Sequence, residues 1–425
     1  MKYFAVIGRP VAHSKSPLMF NYFFKKNKLD CCYSRIASEN LKEAIDTCRL
    51  LGISGINITM PYKKELIAMA DYISSEALDV EAVNTLLFEE NTLKGYNTDI
   101  YGATVPLKRC LGDLNRKKIL IVGAGGAARA ALYGLKKEGA ECVVANRSVE
   151  KGQNVSTKFN AGFIPLDKVN TVLKNIDAVV YTVPVKIDFD LSQLKSSSVF
   201  LSAIYKQYFF KDECDEKGIT YIPGEEWLIE QGRVSCSIFG FDCEGDKFGN
   251  FPEKVKKPDR ISLIGFMGSG KTSVGRILAE KLNFSFVDLD KEIETGEGMY
   301  IPEIFEKHGE SYFRKLEVYY LKKFKDKKGI VLSCGGGIVN TDEAADILNN
   351  LFFNVFLCGK LNNLYERTKN SSRPLRTNIS RFEKLYRERF KNYFILSDLI
   401  VDTSHKDQDK LAGLIYYELS KVLSD

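Results

Sequence analysis

Short β-branched apolar runs alternate along the chain with stretches whose apolar positions recur at helical spacing, and this alternation predicts an α/β protein. YFAVIG (residues 3–8) and GINITM (55–60) read as strands, with NLKEAIDTCRLLG (40–52) as a helix between them. Two glycine-rich loops then divide the sequence. The first lies in KKILIVGAGGAARAALYGLKKEGAECVVANR, read as a strand, a turn at Gly123, Gly125 and Gly126, a helix ending near Gly139 and a strand ending at Asn146-Arg147. The second lies in RISLIGFMGSGKTSVGRILAEKLNFSFVDLD, a strand, the loop Gly265 to Thr272, a helix and a strand ending at Asp288 and Asp290. Between them FPEKVKKPD, Phe251 to Asp259, lacks apolar periodicity and reads as a linker with solvated lysines. No internal repeat is visible.

Length sharpens this picture: 425 residues call for two or three cores. With 44% hydrophobic and 27% charged residues the chain is neither disordered nor low-complexity. A net charge of +6 suits anionic metabolites and does not mark a nucleic-acid binder. No apolar run approaches the ~18 residues of a membrane span. The opening MKYFAVIGRP reads as a strand entering a loop, so a cytoplasmic address is expected, with neither membrane nor nucleic acid as partner. The 10 cysteines are scattered without a CxxC pair, which predicts reduced thiols, and 3 histidines leave little for a His-rich metal site or a His-dependent triad.

Each glycine loop has its own chemistry. At the first, the backbone of Gly123, Ala124, Gly125, Gly126 and Ala127 faces a pyrophosphate at a helix N-terminus, and Ala128 takes the later glycine position. Where an NAD enzyme would place a carboxylate on the ribose, the chain has Asn146, Arg147 and Ser148, with Lys151 beyond. Cations there suit a 2′-phosphate, hence NADP(H). The second loop matches GxxxxGK[ST] in full. Gly268, Ser269, Gly270, Lys271, Thr272 and Ser273 would cradle the phosphates of ATP, with Lys271 on the β/γ oxygens and Thr272 on Mg²⁺.

Upstream of the first loop lie His13-Ser14-Lys15-Ser16-Pro17, Asn57-Ile58-Thr59-Met60-Pro61-Tyr62-Lys63, Ala82-Val83-Asn84-Thr85 and Asn97-Thr98-Asp99. In order and content this set resembles shikimate dehydrogenase over roughly the first 240 residues. The resemblance implies an α/β substrate-binding domain from residues 1–102 and 225–250, and a Rossmann NADP domain over 103–224. It implies that Ser14, Ser16, Thr59, Asn84, Tyr205 and Gln231 hold shikimate or 3-dehydroshikimate. Lys63 and Asp99 would be the catalytic pair and Gly224 would stand beside the cofactor. The chain departs from the family at Glu81, where glycine often stands, at Tyr181-Thr182-Val183-Pro184-Val185 near the nicotinamide, at Ser202 in place of Asp, and at Gln207 in place of Pro. Both serines of SKS are kept, as in shikimate-specific enzymes rather than quinate-using ones.

After the linker, 251–258, the segments Phe286-Val287-Asp288-Leu289-Asp290, Phe313-Arg314-Lys315-Leu316-Glu317 and Gly335-Gly336-Gly337 resemble shikimate kinase, as do Arg367, Arg373-Pro374-Leu375, Arg389 and Tyr393. This likeness runs over 259–425 and implies a P-loop domain of the nucleoside-monophosphate-kinase type with a parallel sheet. By it, Asp288 supports the metal and Asp290 accepts or orients the 3-hydroxyl. Arg314, Arg389 and the Gly335 to Gly337 backbone grip the substrate. Arg373 acts on the transferring phosphate from a mobile lid, KNSSRPLRTN, made more basic than usual by Arg376, and Arg367 lies against the adenine. The expectation is a bifunctional enzyme. A ligand sensor that has lost catalysis is disfavoured by the retained Lys63, Asp99, Lys271, Asp290 and Arg314, and a quinate enzyme using NAD by Asn146-Arg147-Ser148.

Overall fold

The apolar run Lys118–Val122 shows why the middle of the chain folds as it does. Ile119 and Ile121 pack on one side with Leu132 and Leu135 of the helix Gly126–Lys137, while Leu120 and Val122 pack on the other with Leu173, Val179 and Phe200. A strand buried on both faces has no polar face to alternate with, so it reads as a continuous run. It is the central strand of a six-stranded sheet in the order Thr220–Ile222, Val199–Ser202, Ala178–Tyr181, Lys118–Val122, Glu141–Asn146, Gly162–Pro165, parallel throughout. This is the Rossmann arrangement, with the order reversing beside the first strand.

A computed structural model describes the chain except for residues 91, 206, 244–247, 250, 253, 369–378, 405–406 and 424–425. It divides into two compact units, Met1–Ile53 with Pro252–Asp425, and Ser54–Phe251. The second unit holds the Rossmann sheet and further strands, among which Thr85–Glu89 pairs antiparallel with both Ile53–Ile58 and Thr92–Tyr96, and Tyr72–Ile73 lies parallel to Thr92–Tyr96.

In the first unit the strands follow the order Ser285–Asp288, Ile330–Ser333, Arg260–Ile264, Phe353–Cys358, Leu399–Asp402, Cys31–Ala37, Lys2–Gly8, all parallel. The loop Gly265 to Gly270 leaves the strand Arg260–Ile264 and enters the helix Lys271–Leu282, as the P-loop pattern requires. The strand expected to run to Asp290 stops at Asp288, which caps the helix Leu289–Glu297, so Asp290 stands in that helix's first turn. The linker lysines are not all solvated. Lys256 Nζ lies 2.9 Å from Asp398 Oδ2, because the carboxylate that also accepts the Asn354 N–H presents a fixed negative charge there.

Candidate functional site

In the second unit, the turn after Ile58 presents Lys63, and the helix Asp99–Leu111 starts on Asp99. Their side chains meet, Nζ to Oδ2 at 2.6 Å, with Asp99 only 3% exposed and Lys63 19%. The indole N–H of Trp227 points at the other oxygen of Asp99 from 3.5 Å. A carboxylate so enclosed holds the ammonium in place, while the partial exposure of Lys63 leaves it open toward a ligand. A Cβ placed on Gly126 would lie 3.7 Å from Lys63 Cδ, so the dinucleotide loop abuts the pair.

Asn84 is buried and fully engaged. Its amide donates to Gln231 Oε1 and Thr98 Oγ1, both at 3.0 Å, and its Oδ1 accepts the Thr98 N–H at 2.7 Å. Behind it Thr85, Thr98 and Ser235 share a hydroxyl cluster, with Asn57 donating to Thr85 and Ser235. Sequence reading missed Ser235 and Trp227, since both lie on the helix Gly224–Ile238, far from Asn84 in the chain and in no motif. Thr59 is half-buried in the turn before Lys63, where its carbonyl accepts the Tyr62 N–H.

At the dinucleotide loop, Gly123 has φ +115°, and a Cβ there would stand 2.4 Å from Thr182 Oγ1, whose hydroxyl donates to Val122 O. Only glycine suits both conditions. Gly125 caps the helix that starts at Gly126, which with Ala124 and Ala127 brings the helix N-terminus to the loop. Asn146 ends its strand and donates to Ser148 O, Ser148 caps the following helix by accepting the Lys151 N–H, and Arg147 and Lys151 are exposed beside it. Gly224 opens the helix of Trp227 and Gln231, against the backbone of Ile204 and Tyr205. Ser202 is fully buried; its hydroxyl accepts the Ile204 N–H and donates to Ile204 O, which shapes the turn into the half-buried Tyr205. Glu81 takes a left-handed φ of 54° at a helix end and its carboxylate pairs with Arg129 and, at 2.5 Å, with Lys158.

In the first unit, Ser14 and Ser16 lie in one turn, Ser14 Oγ 3.2 Å from Ser16 Oγ, both buried. The P-loop stands elsewhere in the same unit. Lys271 is buried, its Nζ donating to the carbonyls of Gly265 at 2.8 Å and Phe266 at 3.1 Å. Thr272 Oγ1 donates to Asp288 Oδ2 at 2.9 Å. A cleft of about 300 Å³ is lined by Gly268, Gly270, Lys271, Thr272, Ser273 and Asp290, with Arg367 at its side, whose guanidinium is held by Thr403. A second cleft of about 340 Å³ is lined by Asp290, Arg314, Gly335, Gly336, Gly337 and Arg389. Thr272 and Asp290 line both.

Arg389 donates to Gly336 O at 3.0 Å, and the Tyr393 hydroxyl donates to the same carbonyl. A Cβ on Gly337 would fall 2.1 Å from an Arg314 nitrogen, so a side chain there would have to displace that guanidinium. Arg314 is held between Glu310 and Glu317. Glu317 is 0% exposed, and one of its oxygens has no hydrogen-bond partner. Burial pushes its carboxyl up to about 7, against the pull of Arg314. From the ordinary carboxylate range to that value the folded chain keeps a proton that the unfolded chain releases, so this group's contribution to stability declines as pH rises through the window. Glu317→Gln is expected to flatten that decline, measured as thermal unfolding of variant and wild type at a series of pH values between roughly 5 and 7.5. Arg373 and Arg376 lie outside the described residues.

Among the described residues no group of three or more His, Cys, Asp or Glu side chains could hold a metal, and no helix is long and apolar enough to cross a membrane. The Thr272 hydroxyl and Asp288 carboxylate nevertheless fit Mg²⁺, which takes oxygen ligands and is commonly held by one carboxylate together with nucleotide phosphates.

Three family models match the chain: the shikimate dehydrogenase substrate binding domain over residues 6–86, shikimate / quinate 5-dehydrogenase over 107–186, and shikimate kinase over 267–420. The NADP(+) shikimate dehydrogenase of Aquifex aeolicus is 36% identical over 252 residues, covering 57% of this chain and 91% of that protein. The crystal structure of the Aquifex aeolicus shikimate dehydrogenase superposes with a TM-score of 0.53 at 34% identity, over 56% of this chain and 92% of that one. That of the Thermus thermophilus shikimate 5-dehydrogenase with NADP(H) and shikimate gives 0.52 at 29% identity, over 58% and 97%.

Proposed function

The chain belongs to the shikimate dehydrogenase family and carries a shikimate kinase domain behind that region, and from this premise we propose how its residues run two consecutive reactions on one ring acid. The first reduces 3-dehydroshikimate to shikimate, and the second phosphorylates shikimate at its 3-hydroxyl. The observation that carries the reading is the Lys63–Asp99 pair lodged against the dinucleotide loop.

NADPH supplies the hydride. As the ketone carbon accepts it, negative charge gathers on the oxygen, and the Lys63 ammonium donates a hydrogen bond and then a proton to that oxygen. Asp99 holds the ammonium in place through their ion pair. Ser14, Ser16, Thr59, Asn84, Tyr205 and Gln231 hold the substrate's hydroxyls and carboxylate, and Gly224 lies beside the cofactor. Residues 1–102 and 225–250 remain our assignment for substrate binding, 103–224 for the dinucleotide, 251–258 for the linker and 259–425 for the kinase. Arg147 and Lys151 meet the 2′-phosphate as exposed cations. Arg147→Ala is expected to raise KM for NADP(H) about tenfold or more and to leave turnover with NAD unchanged, since a hydrogen bond to a charged group is worth about 1.5–3 kcal/mol. Equal losses with both dinucleotides would remove Arg147 from this role.

In the kinase, ATP supplies the phosphoryl group and Mg²⁺, held by Thr272 and supported by Asp288, offsets its charge. Lys271 draws charge from the β/γ oxygens. Asp290, common to both clefts, orients the 3-hydroxyl toward the phosphate side. The forks of Arg314 and Arg389 fix the carboxylate with paired hydrogen bonds, which aligns the ring for in-line transfer. Arg367 lies against the adenine, and Arg373 acts on the transferring phosphate. We place both reactions in the cytoplasm. NADP-linked shikimate oxidation and shikimate-dependent ADP release, measured on one purified sample, test the proposal; absence of both would end it.

A further inference from the structure

The C-terminal half of the chain reaches the turn that carries Ser14 and Ser16. Val11 and Ala12, just ahead of those serines, are fully buried, and their N–H groups donate to a single oxygen, Glu418 Oε2, at 2.6 and 2.9 Å. Glu418 belongs to the helix Gln408–Leu423 and is 0% exposed. Val11 O accepts the Ser14 N–H at 2.9 Å, closing the turn. On its far side Ser14 O accepts from Arg35 Nε and one terminal nitrogen, at 2.9 and 2.6 Å, and the other terminal nitrogen donates to Asp398 O at 3.0 Å. The strands behind these contacts are paired, Ile36 with Ile400 and Ala37 with Val401, and Ser34 bonds to Ser397.

We propose that Glu418 and Arg35 are positioning residues through which the kinase half sets the substrate-binding serines of the dehydrogenase. Two buried N–H groups with no other acceptor among the described residues depend on one carboxylate, and the Ser14 carbonyl accepts from a guanidinium that is itself anchored on Asp398. An interior polar group left unpaired is costly, so losing either anchor moves the turn until its backbone finds other partners. Ser14 and Ser16 then leave the position in which they meet the ring acid, while hydride transfer between dinucleotide and bound substrate is untouched. The inference rests on the reading above that these serines bind shikimate.

The test is steady-state kinetics of both reactions on the full-length chain. Glu418→Ala is expected to raise the dehydrogenase KM for shikimate about tenfold, with kcat and both kinase KM values within about twofold of wild type, and Glu418→Gln, which keeps an acceptor oxygen, is expected to recover most of that loss. Should Glu418→Ala fail to fold, Arg35→Lys decides, because it keeps the charge but not the fork; a rise of about fivefold is expected. A wild-type KM in the deciding variant, or an equal loss in both reactions, overturns the proposal. Ser14→Ala separates it from the reading beneath it. If that variant keeps the wild-type KM, the serine assignment itself is wrong; if its KM rises while the anchor variants stay at wild type, only the positioning role is wrong.

Discussion

Replacing Lys63 by Ala is expected to lower dehydrogenase turnover by about a thousandfold or more and to leave shikimate-dependent ADP release at the wild-type rate. The magnitude follows from what is removed. A positioned proton donor contributes about 10²–10⁴-fold, and in the proposed reaction the same group also stabilises the alkoxide that forms as hydride arrives. Lys63 lies 2.6 Å from Asp99, whose carboxylate is almost wholly enclosed. Without the ammonium that carboxylate retains, among the described side chains, the 3.5 Å approach of Trp227, so some stability is lost as well. Lys63→Met, which keeps the aliphatic stem against Gly126, is the better-behaved companion. Kinase activity of the same molecule reports whether the chain has folded, and a Lys63 variant that silenced both reactions would contradict two independent sites.

Lys271→Ala is expected to have the opposite signature, with ADP release reduced by about 10²–10³-fold or more and NADP-linked shikimate oxidation intact. Phosphoryl transfer asks little of the protein beyond placement and charge stabilisation, so removing the cation proposed to meet the β/γ oxygens would remove much of what the protein supplies. The buried ammonium is held by the carbonyls of Gly265 and Phe266, within the loop that receives the phosphates. Lys271→Arg is not a rescue, because a planar fork cannot replace a compact point charge in a loop of that size. Measuring KM for shikimate alongside kcat separates the loss from damage to the cleft proposed for the ring acid, whose Arg314 and Arg389 are not touched by the substitution.

Much of this was legible in the sequence. The two glycine loops, the strands feeding them and the helices leaving them were readable because turn geometry and helix periodicity are satisfied within about ten neighbouring residues. Burial on both faces explains why KILIV and ISLIG announce themselves so plainly. The motif clusters around Lys63, Asn84, Asp99, Asp290 and Arg314 were equally visible, and the resemblance they carry implies the roles proposed for them. Glu317 stood in a quoted motif without a role, since a sequence does not reveal that a carboxylate will be enclosed. The lysines of the linker looked solvated for the same reason, until the fold placed Lys256 against Asp398.

What only the tertiary structure decided is which distant groups meet. Lys63 and Asp99 are 36 residues apart, Asn84 and Gln231 147, and Val11 and Glu418 407. Apolar periodicity says that a strand is buried, but not which sheet edge it joins, so nothing in the pattern foretold that Cys31–Ala37 would lie beside Leu399–Asp402. Chain-local hydrogen bonding sets the elements, whereas the free energy of enclosing polar groups is minimised over the whole fold, and each partner is therefore chosen by geometry that no short window contains.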